Sequence, residues 1–105
     1  AAGEYFGGAW VPARSGRIHN MYVHRRLAGT GGNTIIDMNN DGTTVFTTQA
    51  NRPIVSAALG DNAVVQSGTI DASTFSAGNW IGPQLDDKEY GAPEDLSITI
   101  EVSYD

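Results

Sequence analysis

LSITIEV, residues 96–102, alternates apolar and polar side chains without a break. Successive side chains of an extended strand point to opposite faces, so this pattern predicts a strand with one apolar face and one wet face. Its apolar row is Leu96, Ile98, Ile100 and Val102. Such a row must pack against a second layer, which makes a layered sheet fold the starting expectation.

Other short β-branched runs precede this segment and are separated by turn-forming residues. The 105 residues include 13 glycines, and no window sustains the apolar spacing of an amphipathic helix. Asp41-Gly42 between strand formers predicts a tight hairpin. Residues 17–27 predict a long strand with a bulge between Ile18 and Met21, where the apolar phase changes. We therefore predict an all-β fold, a two-sheet antiparallel β-sandwich of seven to eight short strands in jelly-roll or Greek-key order.

The length fits one domain. Residues 16–105 are assigned to the sandwich, and residues 1–15 to an N-terminal arm that carries Tyr5, Phe6 and Trp10 among glycines. Two uses of the arm stay open. It either closes one end of its own sandwich or reaches into a neighbouring subunit, since Trp and Tyr give large contact areas at low entropic cost.

The chain has no cysteine, which excludes disulfides, thiolate metal sites and cysteine nucleophiles. A small domain without disulfides depends on its core or on neighbouring subunits. We therefore expect a homo-oligomer, with a trimer as one arrangement that the sequence allows.

The net charge of −6 is distributed unevenly. Residues 1–55 hold five arginines and three acids, a net +2, whereas residues 56–105 hold one lysine and nine acids, a net −8. An acidic protein is a poor nucleic-acid binder, and no apolar run is long enough to suggest a membrane partner. The two halves either present oppositely charged patches to other copies of the chain or to partners, or they interleave in the fold so that their charges mix.

Catalytic and metal-binding motifs are incomplete. Residues 37–42, DMNNDG, match half of a calcium loop, but its twelfth position is Thr48 and strand formers flank it. His19 and His24 have no third histidine to complete a metal site. The carboxylate pairs of the acidic loop 86–95 are expected to stay solvated and ionised. We expect no enzymatic activity, no cofactor and no metal.

One longer stretch has the layout of a known module. It is AGTGGNTIIDMNNDGTTVFTT, residues 28–48, followed by Asn51-Arg52-Pro53, then by Ala77-Gly78-Asn79 and by Asp95-Leu96. Over residues 17–102 this order of turns and strands resembles a β-sandwich module of tailed-bacteriophage virion proteins. Asn79 stands where that module more usually has an acid, and the arm has no counterpart in it.

The resemblance implies a structural virion protein, either a capsid decoration (cement) protein or a module of the tail, baseplate or fibre. The implied partners are the major capsid protein or other virion proteins, and the implied location is the virion. The contacts that we predict are the aromatic residues of the arm and the nearby arginines, namely Tyr5, Phe6, Trp10, Arg14, Arg17, Arg25 and Arg26.

The main alternative is a carbohydrate-binding or receptor-binding module of a tail, baseplate or fibre protein. Such modules place exposed aromatic side chains on a sheet or a loop. Tyr90, in the acidic loop, is the candidate glycan contact. A bacterial secreted or surface adhesion domain is a third, weaker alternative.

Overall fold

The structure is a computed structural model that describes the backbone of residues 4–5 and 7–105 and the side chains from residue 7 onwards. The described chain forms two antiparallel sheets and two single-turn 3-10 helices, Gln49–Asn51 and Ala57–Leu59. The strands are β1 (Glu4–Tyr5), β2 (Gly16–Leu27), β3 (Asn33–Asn40), β4 (Thr43–Thr44), β5 (Ile54–Ser56), β6 (Ala63–Gln66), β7 (Thr74–Phe75), β8 (Ile81–Asp87) and β9 (Glu94–Tyr104).

The two sheets confirm the predicted antiparallel sandwich. In the first sheet β8 lies between β1 and β3, and β3 also pairs with β4 and β5. In the second sheet β2 pairs with β6, β7 and β9. The described residues form nine strands where seven to eight were predicted. Three of the nine have only two residues and are too short to show a period of two in the sequence. The acidic loop is also shorter than predicted, since β8 extends to Asp87 and β9 begins at Glu94.

The predicted long strand and its bulge are both confirmed. β2 pairs with β9 from Gly16 to Leu27, and the register shifts between Ile18 and Asn20. Ile18 and Met21 are therefore both buried, although they are three positions apart and would point to opposite faces of a regular strand.

The predicted hairpin is confirmed at Asp41-Gly42, where φ is 51° and 86°. Both residues have positive φ, as a two-residue type I′ connection requires. The two carboxylates of residues 37–42 accept hydrogen bonds from backbone amides. Asp37 accepts from the Met38 amide at 2.8 Å, and Asp41 accepts from the Trp80 amide at 2.7 Å.

The core lies between β2 of one sheet and β3 and β5 of the other. The apolar row of β9, comprising Leu96, Ile98, Ile100 and Val102, faces this core as predicted but remains partly exposed. The sandwich is thus less completely closed along β9. The buried apolar residues are Ile18, Met21, Val23, Ile36, Met38, Val45, Phe46, Val55, Ala63, Ile70, Phe75 and Ile81.

A hydrogen bond between two loops makes a testable contribution to acid stability. The amide of Thr48 donates to Asp71 Oδ2 at 2.7 Å, and this bond is the main cause that lowers the pKa of Asp71 below 3.8. A carboxyl with a lowered pKa stabilises the fold above its unfolded pKa, and that stability is lost as the pH falls through the folded pKa.

We therefore expect the stability of the wild type to fall more steeply than that of Asp71→Asn as the pH drops below about 4. Urea unfolding midpoints across this pH range measure the difference. Asp87→Asn is the control, because it removes an exposed carboxylate that accepts from the adjacent amide of Lys88. Parallel curves for wild type and Asp71→Asn would contradict the assignment.

Candidate functional site

The structure separates the predicted contact residues into two groups. Arg17 and Arg26 lie near opposite ends of β2. Nine steps of about 3.3 Å per residue place them roughly 30 Å apart. Trp10 and Arg14 belong to the first end, and Tyr90 belongs to the second.

Trp10 is built into its own domain. Its backbone exchanges two hydrogen bonds of 2.8 Å with Ile81, and its ring packs edge-on against Phe75 with 5.3 Å between ring centroids. Pro12 is buried and its carbonyl accepts from the Gly78 amide at 2.9 Å. This part of the arm therefore follows the first of the two predicted uses and covers its own sandwich.

The start of the arm is described in part. The backbone of Tyr5 pairs with Gln84 of β8. Phe6 and the side chain of Tyr5 lie outside the described residues, so the predicted contacts of both remain predictions.

Arg14 lies beside the end of β9. Its guanidinium carbon is 5.3 Å from the centroid of the Tyr104 ring, and its Nη2 donates to the Asp105 carbonyl at 2.9 Å. Val11 is 59% exposed nearby in sequence. Arg14 and Arg17 are both exposed, so this end offers two cations and an apolar side chain to a partner.

Arg25 corrects the prediction that it contacts a partner. Its side chain is 1% exposed, and Nη1 lies 2.9 Å from Glu89 Oε1. Its guanidinium also donates to the carbonyls of Ser56 and Gly60. Beyond the bulge, Met21, Val23 and Arg25 share the inward phase of β2, so the arginine must find its partners inside the domain.

Glu89 lies in the acidic loop outside the two carboxylate pairs, and the sequence analysis made no prediction for it. The carboxylate is buried and accepts from Thr34 Oγ1 at 2.6 Å and from the Gly29 amide at 3.1 Å. Nothing in the surrounding sequence marked it as buried. The inward phase of Arg25 was the available signal, because a buried cation requires a buried acid.

Ion pairs join the two halves of the chain. Besides Arg25 and Glu89, Arg26 pairs with Asp95 on the surface and Arg52 pairs with Asp86. The hydrogen bond to Asp95 is the main cause that raises the pKa of Arg26 above its usual value. Each pair links an arginine of the first half to an acid of the second, so the interleaved arrangement is the one observed. Arg26 consequently already has an acidic neighbour within its own chain.

Tyr90 is exposed, as its candidate role requires. It is 70% exposed, and its amide donates to the Gly31 carbonyl at 2.8 Å. Its ring lies on the Gly31-Gly32 backbone, where an added Cβ at Gly31 would come within 3.2 Å of Tyr90 Cδ2. Glycine therefore favours this close approach, because a Cβ would push the ring outward by a few tenths of an ångström. Glycan binding by Tyr90 stays a prediction.

An apolar opening runs along β9 on the side facing β8 and the arm. One hollow of about 180 Å³ has Trp10, Pro83, Ile98 and Ile100 in its wall. A second, of about 160 Å³, includes Leu85 and Leu96. A third, of about 340 Å³, is formed by Trp10, Ile100, Val102 and Tyr104. We call this surface the seam, defined by Trp10, Pro83, Leu85, Leu96, Ile98, Ile100 and Val102.

The seam is the candidate functional site. The alternation in 96–102 predicted which side chains face inward, but it gave no sign that they would stay partly exposed. Contiguous apolar surface that stays in contact with water is a candidate for contact with another protein.

Within residues 4–5 and 7–105, no three side chains of the His, Cys, Asp and Glu types group closely enough to hold a metal ion. The described chain has no helix that is long and apolar enough to cross a membrane. No protein-family model, curated protein or solved structure matches this chain.

Proposed function

We propose that this protein is a capsid decoration (cement) protein of a tailed bacteriophage, which binds capsid subunits and stabilises the shell. The observation that supports the proposal is the seam, because a partly exposed apolar row indicates a protein that works in an assembly. Its apolar side chains lie against a packed core yet remain partly in contact with water. Covering them with another protein would gain about 25 cal/mol for each Å² of apolar surface removed from water.

The mechanism that we propose is additive. Each copy contributes a modest contact, and many copies on one shell act together because each attachment raises the effective concentration of the next. The arm end supplies the shell contact through Val11 and Arg17, which are both exposed. Arg25 has no part in it, because it is buried.

Point substitutions test the shell contact more cleanly than removal of residues 1–12. Deletion is the test that an independent arm would suggest, but Trp10 packs on Phe75 and Pro12 is buried, so deletion would also remove folded structure.

We expect Val11→Asp combined with Arg17→Glu to lower binding to decoration-free phage heads by at least about tenfold, the equivalent of 1.4 kcal/mol. Co-sedimentation with the heads measures binding, and the urea midpoint reports the fold. The matched control is Val64→Asp, since Val64 is 64% exposed but lies on β6. Undiminished binding by the Val11→Asp, Arg17→Glu protein would overturn the assignment.

The second candidate is a carbohydrate-binding or receptor-binding module of a tail, baseplate or fibre protein. The exposure of Tyr90 favours it, because an aromatic ring held on a glycine platform can stack on a sugar. A glycan array run beside the head-binding assay separates the candidates. Glycan binding that Tyr90→Ala abolishes, without binding to heads, would replace the first proposal with the second.

A further inference from the structure

We infer that a second copy of this chain closes the seam, by pairing its β9 antiparallel with β9 of the first copy in a two-fold dimer. The inference rests on the proposed role in assembly and deepens it by naming what covers the seam. It is carried by the free edge of β9, by the self-complementary order of its side chains and by the position of Arg14.

β9 has a long edge that is open to pairing. The strand covers the 11 residues Glu94–Tyr104, and within the described part of the chain it pairs with β2 alone. An uncovered strand edge presents a row of backbone donors and acceptors, and adding a strand from another chain is a recurring way to satisfy them.

The side chains of β9 are self-complementary about Thr99. An antiparallel pair centred there sets Ile98 opposite Ile100 of the second copy and Leu96 opposite its Val102. The polar residues Ser97, Thr99 and Glu101 then share the other face. Both apolar rows stay on one side of the joined sheet, as a sheet with one buried face requires.

The symmetry brings the two seams together. The axis of such a pair is perpendicular to the joined sheet, so both first sheets, which contain β8, lie on the same side of it. The outer edge of each first sheet, which is formed by the backbone of β1 beside β8, then faces its counterpart in the other copy, together with Trp10. The two open sides close each other.

Charge favours this register over the two registers centred on its neighbours. Centred on Thr99, Asp95 meets Ser103 and Ser97 meets Glu101, so no acid opposes an acid. A pair centred on Ile98 would set Asp95 against Glu101, and one centred on Ile100 would set it against Asp105. Like charges directly opposite each other destabilise a strand pair.

Arg14 adds an attractive contact in the same register. Glu94 lies opposite Tyr104 of the second copy, and Arg14 sits over that tyrosine ring. Each Arg14 therefore arrives beside a Glu94 of the other copy. The symmetry produces this pair twice, once at each end of the joined strands.

The first test is a substitution on the axis. Thr99→Lys would set two lysines directly opposite each other, and we expect it to weaken the dimer at least about tenfold. Val64→Lys is the matched control, because it adds the same charge to an exposed position on the β6 edge of the same sheet. Sedimentation velocity across a dilution series measures the mass. Wild type and control should be dimers at concentrations where Thr99→Lys is a monomer.

The second test exchanges the charges of the end contacts. Arg14→Glu and Glu94→Arg should each weaken the dimer, and the double variant should restore it. A monomeric wild type, a trimer, or an undiminished Thr99→Lys dimer would overturn the inference. Head binding is measured on the same samples. If the protein is a monomer that binds heads, the dimer inference is wrong and the cement function stands. If it is a dimer that binds no heads, the cement function is wrong and the dimer inference stands.

Discussion

Replacement of Glu89 by alanine is expected to lower the free energy of unfolding by about 3–5 kcal/mol. The substitution leaves the Arg25 guanidinium charged in the interior without the carboxylate that lies 2.9 Å from it. It also removes the acceptor of the Thr34 hydroxyl and the Gly29 amide. A domain of this size has only about 5–15 kcal/mol of stability in total, so the loss is a large part of it.

Equilibrium unfolding in urea at neutral pH measures the loss. All variants are compared at one protein concentration, because self-association would add to the apparent stability. The control is Asp95→Asn, which removes the charge of the Arg26 pair at the next position along β2 and keeps a residue type that tolerates the positive φ of 63° there. That pair is exposed, and exposed pairs contribute about 0–1 kcal/mol. Equal, small losses for both variants would show that burial of the Arg25 pair has little effect.

Replacing both Arg25 and Glu89 separates the effect of their charges on stability from the effect of their side-chain volumes. Arg25→Met combined with Glu89→Leu removes the buried charges and keeps most of the side-chain volume, a change that is often neutral or stabilising in other proteins. Here the Ser56 and Gly60 carbonyls would lose their donor, which costs roughly 1–3 kcal/mol for a buried group. We therefore expect the double variant to regain part of what Glu89→Ala loses.

Features set by neighbouring residues could be predicted from the sequence. The period of two in 96–102, the Asp41-Gly42 turn and the phase change near His19 are local, so strand, hairpin and bulge were all predicted correctly. The ion pairs were not, because nine acids lie in the second half and local pattern does not specify which of them meets a given arginine.

The seam was missed for a related reason. Alternation states which face of β9 is apolar, but closure depends on what the other sheet places opposite that face. Pro83 and Leu85 of β8 and Trp10 of the arm fill that position only in part. The docking of Trp10 on Phe75 is likewise a contact between distant segments, which left the use of the arm undecided.

Gly29→Ala is expected to lower the free energy of unfolding by about 3 kcal/mol, the upper end of the usual cost of overpacking. An added Cβ would lie 2.2 Å from the Tyr90 carbonyl oxygen and 2.8 Å from Glu89 Cβ. The obstructing oxygen belongs to the backbone and accepts from the Thr30 amide at 2.8 Å, so a change of rotamer cannot relieve the clash. The loop that carries Glu89 and Tyr90 must move away from the turn.

A double-mutant cycle shows what that movement does. If the loop holds Glu89 against Arg25, then Gly29→Ala displaces the loop and weakens the ion pair by itself. The free energy lost by the double variant Gly29→Ala, Glu89→Ala should therefore be smaller than the sum of the two single losses. Gly8→Ala is the control, because an added Cβ there meets nothing within 4 Å, and its effect should stay within about 0.5 kcal/mol. Additive losses would mean that the clash is absorbed without moving Glu89. The buried pair would then be held by β2 and Thr34, and the contact between turn and loop would only position Tyr90.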